Sequence, residues 1–263
     1  MIQWIDRVSH SNKLVSLDPL WKSGFAASLL LLAYVTEPLV QLLIALWLLL
    51  WLIVYANVPL RLYSALLGAT LLFYAASLPA LLLELAPPES GGYLLQDAVW
   101  SLQTERFGTL YAPGSRLSLA LSILARVLAC ASCMYFLALT TPMLELLQVL
   151  YKLRMPMLVL ELMQIMYRFL FILSQSREQL YAAQLARGGH SSVTSRIRDS
   201  AWIAVSLFSK TMQRYSGLSN GLQARGFGDG PILAPYVPLK VARRYWIEAG
   251  AGMTVLILLE LSI

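Results

Sequence analysis

Charge is what this chain has least of. Only 13% of its 263 residues are Asp, Glu, Lys or Arg, against about a quarter in an ordinary soluble domain. Hydrophobic residues make up 58%, and the mean hydropathy is +0.65. So few charges cannot keep that much apolar surface in water, which points to a membrane protein. Cysteine is scarce as well: Cys130 and Cys133 share one apolar run and imply no disulfide framework. Histidine is limited to His10 and His190, neither beside a carboxylate cluster, so metal-assisted catalysis has no home. No GxxxxGK[S/T] loop is present, and the chain is not expected to hydrolyse ATP itself. The aspartate-rich magnesium motif that a membrane prenyltransferase needs is also missing. No catalytic residue, metal ligand or cofactor is assigned. Cys130-Ala131-Ser132-Cys133 has ligand-like spacing but no second pair, and such thiols are ordinarily small packing residues.

What the chain does have is a series of apolar runs near the 20 residues that a bilayer core requires. Spans are expected near residues 20–35, 39–56, 62–83, 117–139 and 246–263, with a possible bend at Pro79 in the third. Lys22 interrupts the first run, and its ammonium is expected to snorkel to the headgroups beside an interfacial Trp21. The first run lacks a small-residue cleavage site and is expected to stay as an anchor.

Thirteen of the 20 Lys and Arg residues lie between Pro142 and Trp246. The residues among them are mostly Leu, Met and aromatics, which suits a membrane- or partner-facing cytoplasmic segment and not a nucleic-acid surface. Arg7, Lys13, Lys22 and Arg61 fall on the same side as this basic segment. The other side carries Glu37, Glu84, Glu89, Asp97 and Glu105 against Arg106 and Arg116. The asymmetry sets five spans with the N-terminus in the cytoplasm. Residues 87–116 are then external, with turns at Pro87-Pro88 and Pro113-Gly114, and a short helix is expected over 93–102.

The expected fold is therefore all-α and polytopic. A transmembrane domain (1–141) is followed by a helical cytoplasmic coupling domain (142–245) with two long helices, and then by a final span (246–263). In the middle domain, Thr140-Thr141-Pro142 starts a short helix over 143–153. Pro156 opens a long helix over 157–187, and a second runs over 195–223. Pro231, Pro235 and Pro238 then impose an extended path. The first long helix is apolar near its start. However, Glu161, Gln164, Arg168 and Gln175 line one face, and a charge at the bilayer centre costs about 2.5–3.5 kcal/mol. It reads as an interfacial amphipathic helix, with a sixth span, which would reverse the final orientation, as the alternative.

Arg126 falls mid-span and is expected to face the bundle interior, as a structural ion pair or as part of a partner interface. The repeated endings Ala186-Arg187-Gly188 and Ala224-Arg225-Gly226 carry the most information. Gly suits the left-handed position past a helix, and Arg in a last turn complements the helix dipole. One such ending is an ordinary cap. Two identical ones on consecutive long helices suggest duplicated docking points, since a guanidinium at a helix tip pairs well with a carboxylate.

With those motifs the chain resembles the transmembrane T-components of energy-coupling-factor transporters, in their CbiQ-type cobalt branch. The resemblance rests on Ile5-Asp6-Arg7, Asn12-Lys13-Leu14, Asp18-Pro19 with Lys22, and Pro59-Leu60-Arg61. It continues through Thr140-Thr141-Pro142, Leu153 with Pro156, Tyr167-Arg168-Phe169 and the two Ala-Arg-Gly endings, the second followed by Phe227. Gly189-His190 is a local variation after the first ending. The resemblance implies two partner ATPase subunits docked on the two arginine motifs, and a separate membrane subunit that binds cobalt or nickel. Arg126, Pro142, Pro156 and Arg168 would serve coupling or structure. The setting would be a bacterial inner membrane, with no nucleic acid involved. A vitamin-transporter T-component and an integral-membrane enzyme acting on lipid are the alternative readings.

Overall fold

The computed structural model describes residues 8–10, 12–82, 84–86, 98–104, 108–189, 191–226 and 241–262. After a 3₁₀ turn at Lys13–Ser16 come α1 (Pro19–Val35), α2 (Pro38–Leu50) and α3 (Leu60–Leu82). Three short strands follow: β1 (Glu84–Ala86), β2 (Ala98–Thr104) and β3 (Gly108–Pro113). The chain continues through α4 (Gly114–Thr140), α5 (Met143–Lys152), α6 (Met157–Ala186), α7 (Val193–Ala224) and α8 (Arg243–Ser262). Two compact units result. One comprises Met1–Leu146 with Pro238–Ile263, the other Leu147–Val237. The motif Ile5-Asp6-Arg7, the Pro87-Pro88 turn, His190, Phe227 and the proline path 231–238 lie outside the described residues.

Among the described residues, five helical segments are long and apolar enough to cross a bilayer: Pro38–Tyr55, Leu60–Leu82, Arg116–Thr140, Met157–Ala186 and Arg243–Ser262. The chain is thus a multi-pass helical membrane protein. α6, read from sequence as interfacial, meets the criterion, while α1 is a shorter apolar helix of 17 residues. At 1.5 Å per residue α1 is about 25 Å long, at the lower edge of spanning length. α3 continues through Pro79 to Leu82.

The first unit is built on matching apolar stripes. α1 buries Trp21, Phe25, Leu29 and Ala33 at four-residue spacing, and α2 answers with Val40, Ile44 and Leu48. α4 packs against α1, α2 and α3, closing the core with Ala125, Ala129, Cys133, Phe136 and Leu139. Pro19 and Pro38 occupy first helical turns, and the Leu20 N–H donates to Asp18 Oδ1 at 2.9 Å, capping α1. α2 ends in a π turn over Trp51–Tyr55, closed by the Ala56 N–H donating to Trp51 O at 3.2 Å. Trp51 there stacks 6.0 Å from Trp21, which in turn lies 5.4 Å from Phe25. Gly252 lets α8 approach the Trp47 indole, where a Cβ would collide with the ring.

Two expectations are corrected here. Lys22 does not snorkel outward: it is completely buried with its ammonium on Glu145, and Trp21 beside it is buried too. Residues 98–102 form β2 and not a helix, while 93–97 fall outside the described residues. The strands form one antiparallel sheet in the order β1-β3-β2, pairing Glu84 with Tyr111 and Leu102 with Leu110. Val99, Trp100 and Thr104 favour extended backbone, and β3 supplies the partner that propensity alone cannot reveal.

Candidate functional site

The two Ala-Arg-Gly endings share a C-cap arginine followed by a left-handed glycine. α6 stops at Ala186 with Arg187 as its C-cap, and Gly188 turns left-handed at φ +77°. The Gly188 N–H donates to Leu185 O and the Gly189 N–H to Gln184 O, both at 3.0 Å. These bonds satisfy carbonyls that the helix end would otherwise leave unpaired. α7 repeats the arrangement: Arg225 is its C-cap, Gly226 has φ +66°, and the Gly226 N–H donates to Gln223 O at 3.0 Å. Arg187 and Arg225 are both solvent-exposed, as are Ala186, Gly188, Ala224 and Gly226. The left-handed glycine turns the chain away at the point where the guanidinium is presented. Gly189 sits close to Gln184 O and to the Asp199 carboxylate on α7, leaving little room for a side chain. Asp199 also accepts from Ser195 Oγ at 3.0 Å.

Pro156 caps the start of α6, its carbonyl accepting from Val159 and Leu160, and Arg168 is exposed on that helix. Arg126 departs from expectation. It does not face the bundle interior but lies exposed, with its guanidinium carbon 5.7 Å from the centre of the Tyr34 ring. Ala125, Ala129, Cys133 and Phe136 already occupy the inward face of α4, and the residue after Ala125 is rotated by about 100° from it.

Pro142 belongs to a cluster that sequence reading did not assemble. It is buried, and its carbonyl accepts from Glu145 and Leu146 at the start of α5. Lys22 Nζ, fully enclosed, donates to Leu14 O at 3.3 Å, Thr140 O at 3.2 Å and Glu145 Oε2 at 2.9 Å. Asn12 Nδ2 donates to Ser9 O and Leu139 O, each at 2.8 Å. Two side chains from the N-terminal region thus satisfy the last carbonyls of α4, where positive charge is favoured. Three of the segments that carried the family resemblance, at Asn12, Lys22 and Thr140-Pro142, meet at this one point. The available signal was Lys22 itself, since an ammonium within an apolar helix needs an acceptor set.

A family profile described as cobalt transport protein, CbiQ, matches residues 10–233. The chain belongs to the CbiQ family. A chain of Methanocaldococcus jannaschii, named as an uncharacterized protein, is 31% identical over 232 residues, covering 87% of this chain and 81% of that one. A fused cobalt transport protein CbiMQ (so named) from Methanocorpusculum labreanum is 29% identical over 235 residues, 88% of this chain. This chain spans 37% of that relative's length. The CbiQ match takes in Lys22 and Glu145, both arginine endings and nearly all of the second unit. Among the described residues, no three His, Cys, Asp or Glu side chains come together as a metal site.

In this CbiQ-family chain α7 carries a further feature that sequence reading passed over. Ile197, Ala201, Val205, Phe208, Met212 and Tyr215 are all exposed at spacings of four, four, three, four and three. That is one continuous stripe on a helix which is not among the membrane-crossing candidates. Hydrophobic periodicity alone could have found it, although not that it lies uncovered.

Proposed function

We propose that this CbiQ-family chain is the coupling subunit of an ATP-driven importer of the energy-coupling-factor type, with cobalt as its cargo. It lies in a prokaryotic plasma membrane with the N-terminus and residues 142–245 in the cytoplasm. It carries no catalysis of its own. Two ATPase subunits hydrolyse ATP, a second membrane subunit captures the metal, and this chain passes movement from one to the other. The observation that carries the reading is the pair of similarly capped helix ends, each presenting an exposed arginine. Two equal anchors suit two equal ATPase protomers. The uncovered stripe on α7, apolar and with aromatic Phe208 and Tyr215, suits a protein partner, because a continuous exposed apolar patch marks an interaction surface. The fused relative, in whose name the two cobalt transport components are joined, supports a partner held close to this chain. The choice between cobalt, nickel and a vitamin rests with that partner.

Removing the anchors tests this. If each guanidinium pairs with a desolvated carboxylate, Arg187→Ala and Arg225→Ala should each cost about 2–5 kcal/mol of docking energy. The double variant should release the ATPase subunits during purification and abolish cobalt uptake. Arg→Lys at either site should be partly impaired, because it keeps the charge and loses the planar fork. A double alanine variant that retains its ATPases and takes up cobalt normally would overturn the docking role.

A further inference from the structure

The boundary between the two compact units falls directly after Leu146, inside α5. Glu145 is therefore the last charged residue of the first unit before the helix continues into the second. Its carboxylate is held at 2.9 Å by Lys22, which is anchored in turn on Leu14 O and Thr140 O. An apolar side chain here would avoid burying a charge, but would leave Leu14 O and Thr140 O without this donor. What the lysine adds is direction: one ammonium binds the turn before α1, the end of α4 and the first turn of α5 together. Asn12 makes a second tie from the same N-terminal region to Leu139 O. The α4–α5 corner is thereby fixed to α1 by side chains and not merely by the backbone running through it.

We propose that Lys22 and Glu145 are positioning residues that form a rigid joint, through which displacement of α5 and the helices beyond it reaches the α1–α4 bundle. The joint rests on the coupling role proposed above. A loose corner would absorb such a displacement in the Thr140-Thr141-Pro142 turn. A corner bolted to α1 delivers it to the bundle core, where Trp21 and Phe25 lie within one turn of Lys22.

The test uses the full transporter, with its ATPase and metal-binding subunits, in proteoliposomes supplied with cobalt and ATP. Glu145→Gln keeps an acceptor for Lys22 and removes the charge, so the chain should fold. Lys22→Met with Glu145→Leu removes both charges together and should also fold. For the apolar pair, the joint predicts retained ATPase subunits, ATP hydrolysis within about twofold of wild type, and at least a tenfold rise in ATP consumed per cobalt ion imported, with a smaller rise for Glu145→Gln. The decisive comparison is the apolar pair against wild type, with thermal stability of the detergent-solubilised complex measured in parallel. A purely structural pair predicts that the apolar variant regains both stability and transport. Wild-type stability together with wild-type transport stoichiometry would therefore overturn the joint. Failure of the wild-type complex to import cobalt would instead strike at the proposed cargo, and the two failures appear in different samples.

Discussion

In the first unit Leu29, Ala33, Val40, Ile44, Leu48, Leu52, Phe136 and Leu139 have no exposed surface at all, and a continuous aromatic cluster runs from Trp47 to Tyr245. Between Leu147 and Val237, by contrast, the buried residues among those described are Leu147, Val149, Leu160, Ser176 and Ile203. Yet that second unit holds two helices of 30 and 32 residues. Lipid accounts for exposed leucines on a span, but α7 carries Arg196, Arg198, Asp199, Lys210 and Arg214 along with its apolar stripe. Exposed apolar surface of that kind marks a site of protein or membrane contact. One unit draws its order from its own core; the other leaves most of its described helical surface uncovered.

Truncating an aromatic ring in each unit puts the contrast to its strongest test. Phe136, fully buried against Phe25 and Trp51, should cost about 3–5 kcal/mol as Phe136→Ala, the range for large buried aromatics. Phe208, 64% exposed, should cost under about 0.5 kcal/mol as Phe208→Ala in the isolated chain. Thermal unfolding in detergent reads both. The same Phe208→Ala change should weaken assembly with partner subunits, scored by co-purification at matched expression. Equal destabilisation of the isolated chain by the two changes would mean that α7 has a core of its own and would end the contrast.

The next effect in size concerns how the open unit keeps its helix ends in order. Gly188 and Gly226 sit at φ +77° and +66°, where a side chain costs about 1–2 kcal/mol. Gly188→Ala and Gly226→Ala should therefore fray the last turns of α6 and α7, with hydrogen exchange at Gln184–Arg187 and Leu222–Arg225 faster by about 5- to 30-fold. Global unfolding should hardly move. If the glycines serve only as caps, ATPase binding should fall no further than the fraying explains. A larger loss would show that the turn itself touches the ATPase.

Much of this was legible from the residues. Runs of apolar side chains located the helices because lipid selects for them along the whole length of a span. Pro156, Gly188 and Gly226 marked helix ends because their backbone preferences act locally. What stayed hidden depends on which surfaces meet. Lys22 reads as a snorkelling residue until Glu145, 123 positions away, is seen to face it. Arg126 reads as an interior charge until Ala125, Ala129 and Cys133 are found to fill that face. The strand at Ala98–Thr104 required a partner from β3. The role of the two arginines was suggested by repetition, and the similar caps add geometry to that suggestion without naming what they touch.

The smallest effect separates the three helix ends of the second unit from one another. α5 closes with the same paired bonds as α6: Arg154 N–H donates to Tyr151 O at 3.0 Å and Met155 N–H to Leu150 O at 3.2 Å. The left-handed position, however, is held by Arg154 itself at φ +62°, where the other two ends have glycine. Relieving that backbone strain with Arg154→Gly should gain about 1 kcal/mol or slightly more. Glycine's extra freedom in the unfolded chain should take back roughly half of it. The net expectation is a stabilisation of about 0.5 kcal/mol, read as about twofold slower exchange at the Arg154 and Met155 amides. Arg154→Ala keeps the strain and loses the favourable charge at the end of α5, so its exchange should be faster than wild type by a comparable factor. If Arg154→Gly instead quickens exchange, the arginine side chain is holding the turn, and the α5 end is built differently from its two glycine-capped neighbours.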